Sequence, residues 1–251
     1  MTAWLAHIRR HPIKTLGADD LDQVELTAGA RLPGDRLYAI MHEGALRHLD
    51  DGQLTRWLPK AAFLRGAASL PLQAVKGGWR DGRIHLTHPH RPDITLNPED
   101  AADQQALIDW LKPLWGEDKS PAARLVRGPE QLTDGSQPQI SILSLPTLRA
   151  LERHLGQPLG IDRWRANLWV DGWDALAERD LIGREITIGP ARMIVRNTIG
   201  RCIATDADTA TGQRQLDMLA ALRDFTGTEN FGIFAEVTTG GRIAVNDKVH
   251  A

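Results

Sequence analysis

The sequence predicts an α+β fold built on a mixed β-barrel. Short apolar stretches of strand length recur from Trp4 to Val245, and only three segments space their apolar residues as a helix does. Strands and helices also fail to alternate in the regular order of a doubly wound sheet.

Taken in order, Trp4, Ala6 and Ile8 alternate with more polar neighbours and predict a half-buried strand. A second strand is expected over residues 23–27. Gly29 to Arg36 reads as a turn, and Leu37 to Met41 as a buried strand. Strands follow over 83–87 and 93–96. Asn97-Pro98-Glu99-Asp100 starts a helix, with Asn97 as cap and Pro98 in the first position, that buries Leu107, Ile108, Leu111 and Leu114. Gly116 to Pro121 is the linker candidate. Strands at 123–127 and 139–143 lead to a helix capped by Ser144 and stopped by Gly156, with Leu148, Leu151 and Leu155 inward. Strands at 166–170, 185–188 and 191–196, a helix from Gln213 to Phe225, and strands at 233–237 and 242–245 complete the chain. No internal repeat interrupts this order.

A length of 251 residues allows one large domain or two small ones. The 42% hydrophobic and 25% charged composition is ordinary for a globular chain, and a net charge of −2 gives no reason to expect nucleic acid or an anionic membrane as partner. No apolar run approaches the roughly 20 residues that span a bilayer. The N-terminus from Met1 has no signal-peptide core and reads directly as a strand, so the expected compartment is a reducing cytoplasm.

Cys202 is the single cysteine, which excludes an internal disulfide and a cluster held by four thiolates. It follows Arg201, which favours a thiolate, and precedes a turn-rich segment with Thr205, Asp208 and Gly212. A thiol there can be an inert small hydrophobe, a soft metal ligand or a nucleophile. Arg201 can hold that thiolate, grip an anion or be a solvated loop residue. Gly34-Asp35-Arg36 can aim a guanidinium at a phosphate or be a plain hairpin turn. Lys14 and Thr15 end the first strand with a cation and a hydroxyl, and Arg163, Arg165 and Asn167 place cations and an amide at a strand start. Ser144 offers a helix N-terminus to an anion but on its own reads as a cap. His88-Pro89-His90, with His85 nearby, reads as a surface loop rather than as metal ligands. No Walker loop, GxGxxG or GxSxG is present, so no nicotinamide or flavin site is recognisable.

In this order, Pro12-Ile13-Lys14-Thr15, Gly34-Asp35-Arg36, Ser144, Arg163-x-Arg165-x-Asn167 and Arg201-Cys202-x-x-Thr205-x-x-Asp208-x-x-x-Gly212 resemble the MOSC superfamily. The tail adds Phe231-Gly232 and the run from Gly241 to Val249. The likeness is greatest to the mitochondrial amidoxime-reducing component and its bacterial relatives. It implies a barrel-type MOSC domain at 118–251 and an N-terminal α/β region at 1–117. Within the latter, residues 1–36 would pack with the cofactor-binding barrel and residues around Leu37 to Trp115 would form an inserted subdomain. It further implies a molybdenum cofactor (molybdenum–molybdopterin). Cys202 would be the metal ligand, and Lys14, Thr15, Arg36, Ser144, Arg165, Asn167 and Arg201 would be cofactor-binding positions. Asp208 would stand with Cys202 on the catalytic side, shaping its loop. Relatives often carry a second cysteine three residues before the ligand; Ile199 stands there in this chain.

The implied activity is reduction of N-hydroxylated compounds such as hydroxylamines and amidoximes, with electrons from a separate flavin or iron–sulfur protein. The alternative is a carrier that binds the cofactor, or passes sulfur on Cys202, without turnover.

Overall fold

The computed structural model describes residues 3–251; Met1 and Thr2, where the expected N-terminal strand begins, lie outside the described residues. The chain runs β1 (Ala3–Arg10), β2 (Asp19–Leu21), β3 (Gln23–Leu26), β4 (Tyr38–His42), β5 (Lys76–Arg80), β6 (Arg83–His88) and β7 (Arg91–Leu96). Then come α1 (Ala101–Trp115), β8 (Ala122–Arg127), β9 (Gln139–Ser144), α2 (Leu145–Leu155), β10 (Leu168–Asp171), β11 (Glu185–Ile188) and β12 (Ala191–Gly200). α3 (Met218–Thr226), β13 (Asn230–Thr239), β14 (Gly241–Ala244) and β15 (Lys248–His250) complete it.

Seven strands close a mixed barrel in the order β10-β9-β13-β12-β11-β15-β1, with β1 returning to β10. Only β9–β10 is parallel among these pairs. The inward residues are branched aliphatics such as Ile142, Val170, Ile186 and Ile233, which suit the pleated surface and fill the interior. Each contributes about 1.5–3 kcal/mol by leaving water. β3 and β14 form a separate two-stranded ribbon. α2 and α3 cover the outside of the barrel over Trp164, Trp169 and Phe231.

The rest of the chain builds a second core. β4 pairs with β8, β5-β6-β7 form a meander, and α1 buries Leu107, Leu111 and Leu114 against Ile40, Leu86 and Leu96. Segments 19–26 and 3–10 stay with the barrel strands, while Ile13 and Leu16 join the second core.

Several sequence expectations need correction. In β1 the inward phase is Ala3 and Leu5, and Trp4 is 39% exposed. A bulge between Leu5 and His7 then switches the phase so that Ile8 turns inward. The cap of α1 is Asp100, not Asn97: its carboxylate accepts from the N–H of Ala102 and of Asp103, both at 2.9 Å. Asn97 instead closes a turn onto the Glu99 N–H. α3 begins at Met218 because Asp217 caps it, so residues 213–217 are not helical. Gly116 to Pro121 does not separate two bodies, since β8 beyond it pairs with β4. His88 ends β6 rather than lying in a loop.

β2, β5 and β15 were not expected. β5 carries Gly77-Gly78, which weaken any strand pattern in the sequence. Glycine is required there, because a Cβ on Gly77 (φ +97°) would sit 2.1 Å from the His85 carbonyl oxygen.

Candidate functional site

A cavity of about 490 Å³, within the range usual for small-molecule sites, opens between the barrel and the second core. From one side come Lys14, Thr15, Arg36, Lys60, Arg65 and Gln73. The barrel supplies Asp134, Gln139, Ser141, Arg163, Trp164, Arg165, Asn167, Asn197, Arg201 and Cys202. Seven of the lining residues are Lys or Arg, and Asp134 is the single carboxylate. A chain of net charge −2 therefore concentrates positive charge at one place.

The cations sit in different bonding states. Lys14 is 5% exposed, donates to the Leu132 carbonyl at 2.9 Å and pairs with Asp134. Arg36 pairs with Asp35 and donates to the Arg165 carbonyl at 2.9 Å. Arg165 donates only to the carbonyls of Gly17 and Leu16, at 3.2 and 3.4 Å. Burial, with Arg36 close by, lowers its pKa to about 9. A desolvated guanidinium that meets only carbonyls is a strong site for an incoming anion.

Arg201 lines the cavity as well; its guanidinium donates to the carbonyls of Phe231 and Trp164 and stacks 5.3 Å from the Trp164 ring. Burial brings its pKa down to about 9 as well. Arg163 clamps the segment after Cys202 through the carbonyls of Thr205 (2.7 Å) and Ala207 (2.5 Å).

Cys202 is exposed and extended, directly before a 3-10 turn over Ile203–Asp206. Its carbonyl accepts from the Thr205 N–H at 3.0 Å and the Thr205 hydroxyl at 2.7 Å, which fixes where the thiol emerges. Thr205 thus explains its place in the sequence motif. Asp208 does not line the cavity. Its carboxylate accepts from the Ala210 N–H at 2.8 Å and its carbonyl from the Gly212 N–H at 2.7 Å, so it shapes the loop.

Ser144 is also outside the cavity: it is buried and caps α2 through the Thr147 N–H. The hydroxyl at the cavity belongs to Ser141, three residues earlier in β9. Ile140 and Ile142 face the barrel interior, so the alternation of a strand turns Ser141 the other way. That signal was in the sequence and pointed to Ser141. Asn167 meets Ser141 twice, through its Oδ1 to the hydroxyl (2.8 Å) and its N–H to the same oxygen (3.0 Å). The Thr15 hydroxyl donates to the Leu64 carbonyl at 2.9 Å, joining the cavity to the second core.

Three of the seven non-glycine residues with positive φ are Thr15 (76°), Arg36 (50°) and Arg165 (50°), all on the cavity wall. Such backbone is costly, most of all for β-branched Thr15, and clusters at functional sites. Behind this wall, His11 is buried against Asp35, with its N–H 2.8 Å and its Nδ1 3.1 Å from the carboxylate. Burial, then the charges of Arg165 and Arg36, push the imidazole well below its ordinary pKa, so it is neutral. Burial alone would raise Asp35, but the Arg36 guanidinium and His11 hold it well below the usual carboxylate range.

Barrel and cleft together define a β-barrel protein with a cationic cavity and one thiol on its wall. Residues 129–250 of the chain match the MOSC domain family model. MOSC domains are associated with molybdenum-cofactor binding in related proteins. The sequence is 27% identical over 174 residues to "Molybdenum cofactor sulfurase" of Drosophila pseudoobscura pseudoobscura, covering 66% of this chain and 21% of that protein. The chain thus spans about a fifth of that relative's length. Among solved structures, the YUAD protein from Bacillus subtilis superposes with a TM-score of 0.46 at 15% identity over 99% of this chain and 94% of that one. YiiM from Geobacillus stearothermophilus gives 0.35 at 21% identity over 44% and 52%.

The residues present fit such a cofactor. Its phosphate matches the excess of buried cations, and a metal already held by soft dithiolene sulfurs matches one free thiol. Among the described residues no cluster of three or more His, Cys, Asp or Glu could hold a metal by itself. Trp164, on the cavity wall, also keeps a buried Nε1–H without a protein partner.

Proposed function

We propose that the cavity binds the molybdenum cofactor and that the loaded protein reduces N-hydroxylated compounds with electrons from a separate flavin or iron–sulfur protein. The observation that carries this reading is the exposed Cys202 thiol sharing one cavity with desolvated, carbonyl-bound guanidinium groups. Lys14, Arg36 and Arg165 would hold the anionic end, Thr15, Ser141 and Asn167 would shape the floor, and Cys202 would be the protein's metal ligand. When bound, the cofactor supplies a metal centre able to pass two electrons to an N–O bond. The net reaction takes two electrons and two protons and releases an amine and water from a hydroxylamine. Thr205 and Arg163 keep the Cys202 loop in place while this happens.

An exposed thiol equally serves a second reading, a carrier that holds the cofactor or passes sulfur without turnover. Elemental analysis and pterin detection on protein from a cofactor-competent host, with a hydroxylamine assay driven by an artificial donor, separate the two. Cofactor with turnover supports the reductase; cofactor without turnover supports the carrier. Cys202→Ser replaces a soft sulfur by a hard hydroxyl at nearly constant volume and should abolish turnover while leaving the fold intact. Undiminished activity and molybdenum content in Cys202→Ser would falsify the ligand assignment.

A further inference from the structure

The proposed cofactor site uses Lys14, Arg36 and Arg165 but leaves two cations on the same wall without a role, Lys60 and Arg65. Lys60 opens the 3-10 turn Lys60–Ala62, and Arg65 follows three residues after that turn. The nearest carboxylate to Lys60 is Asp134, 3.8 Å away, and its other oxygen is already engaged by Lys14. Asp134 therefore leaves the mouth cations largely uncompensated. The segment also lies close to the turn after Cys202: a Cβ on Gly66, next to Arg65, would lie 3.3 Å from the Cβ of Ala204, and Arg65 and Cys202 line the same cavity.

The barrel side of the cavity carries amides as well as its arginines. Gln139 and Asn197 join side chain to side chain at 3.3 Å, and Phe234 lies beside them.

Resting on the function proposed above, we infer that Lys60 and Arg65 select a small molecule carrying a carboxylate and hold it beside Cys202. The planar guanidinium of Arg65 can meet a carboxylate with two parallel hydrogen bonds, while Lys60, half exposed, adds charge more than geometry. Their place inside a cavity, rather than on an outer face, favours a small substrate over an acidic protein partner.

The single cysteine makes this testable without turnover. Cys202 is alkylated in the purified chain by iodoacetate, which carries a carboxylate, and by neutral iodoacetamide, and the ratio of the two rates is measured. Any change in the fraction of thiolate affects both reagents and cancels in the ratio. The ratio should exceed that of free cysteine and fall about threefold or more in Arg65→Gln, and further in Lys60→Gln/Arg65→Gln. The iodoacetamide rate should stay constant, reporting intact fold and access. Arg192→Gln, which removes a surface cation paired with Glu185 outside the cavity, should leave the ratio unchanged. An unaltered ratio in both cavity variants, or an equal fall in Arg192→Gln, overturns the inference. A failure of the proposed function would instead appear in the metal and pterin analysis, where this ratio plays no part.

Discussion

At the scale of single residues, the cavity wall is a set of side chains holding backbone in place for a few free groups. Arg36 grips the carbonyl of Arg165, Arg165 the carbonyls of Leu16 and Gly17, and Arg163 the loop after Cys202. If Lys14, Arg36 and Arg165 also anchor the anion, each contributes on the order of 1.5–3 kcal/mol, roughly tenfold or more in affinity. Arg36→Ala and Arg165→Ala should therefore lower cofactor occupancy more than they lower the melting temperature of the cofactor-free chain. Full occupancy with early unfolding would make both residues purely structural.

His11 yields a prediction with a definite sign. Its folded pKa lies well below the 6.5 it has when unfolded, so below about pH 6.5 the unfolded chain binds a proton that the folded chain does not. Stability is therefore present above that pH and declines as pH falls, by at most about 1.4 kcal/mol per pH unit from this group. Denaturant midpoints at pH 7.5 and 5.5 should diverge more for the wild type than for His11→Asn; equal slopes would remove His11 from the account. The cations and the thiol were legible in sequence because their chemistry is tied to residue type. Ser144 was mistaken for Ser141 because a hydroxyl at a helix start and one on a strand face look alike until the strand's phase is known.

At the scale of elements, a bulge can hide a strand's phase, and glycines can hide a strand altogether. β1 shows the first case, where a bulge inverts the phase after Leu5, and β5 the second. Helix lengths depended on identifying the right aspartate as cap, Asp100 and Asp217. One glycine in β13 ties the barrel to the site. Gly232 has φ +86°, and a Cβ there would lie 2.3 Å from Leu143, a fully buried side chain. Its neighbour Phe231 supplies the carbonyl that receives Arg201. Gly232→Ala should destabilise the chain by about 1–3 kcal/mol and slacken the wall beside Cys202. Chemical denaturation checks the first effect, and the iodoacetamide rate at Cys202 the second; a variant as stable as wild type would show that the strand relaxes freely.

At the scale of the whole molecule, two cores meet around one cavity, and neither alone contains both Lys14 and Cys202 within its own elements. The β4–β8 pairing was not foreseeable, because strand partners 80 residues apart leave no mark in local periodicity. The same architecture bears on electron supply. The sequence has one cysteine and no dinucleotide loop, so reduction of a hydroxylamine should proceed with a chemical reductant but with NADH or NADPH only after a flavin or iron–sulfur partner is added. Steady NADH consumption by the metal-loaded chain alone would overturn this.

The closure of the barrel has a temporal consequence. β1 pairs with β15 through Ala3 and Val249, so two neighbouring staves come from positions about 245 residues apart in the chain. Such distant partners slow folding, since a long loop must be ordered before the contact rewards it. During synthesis, the Ala3–Trp4 end of β1 lacks its second partner until β15 has been made, while β2 already covers Ile8 to Arg10. The barrel that carries one wall of the cavity therefore closes only once its first and last staves have met.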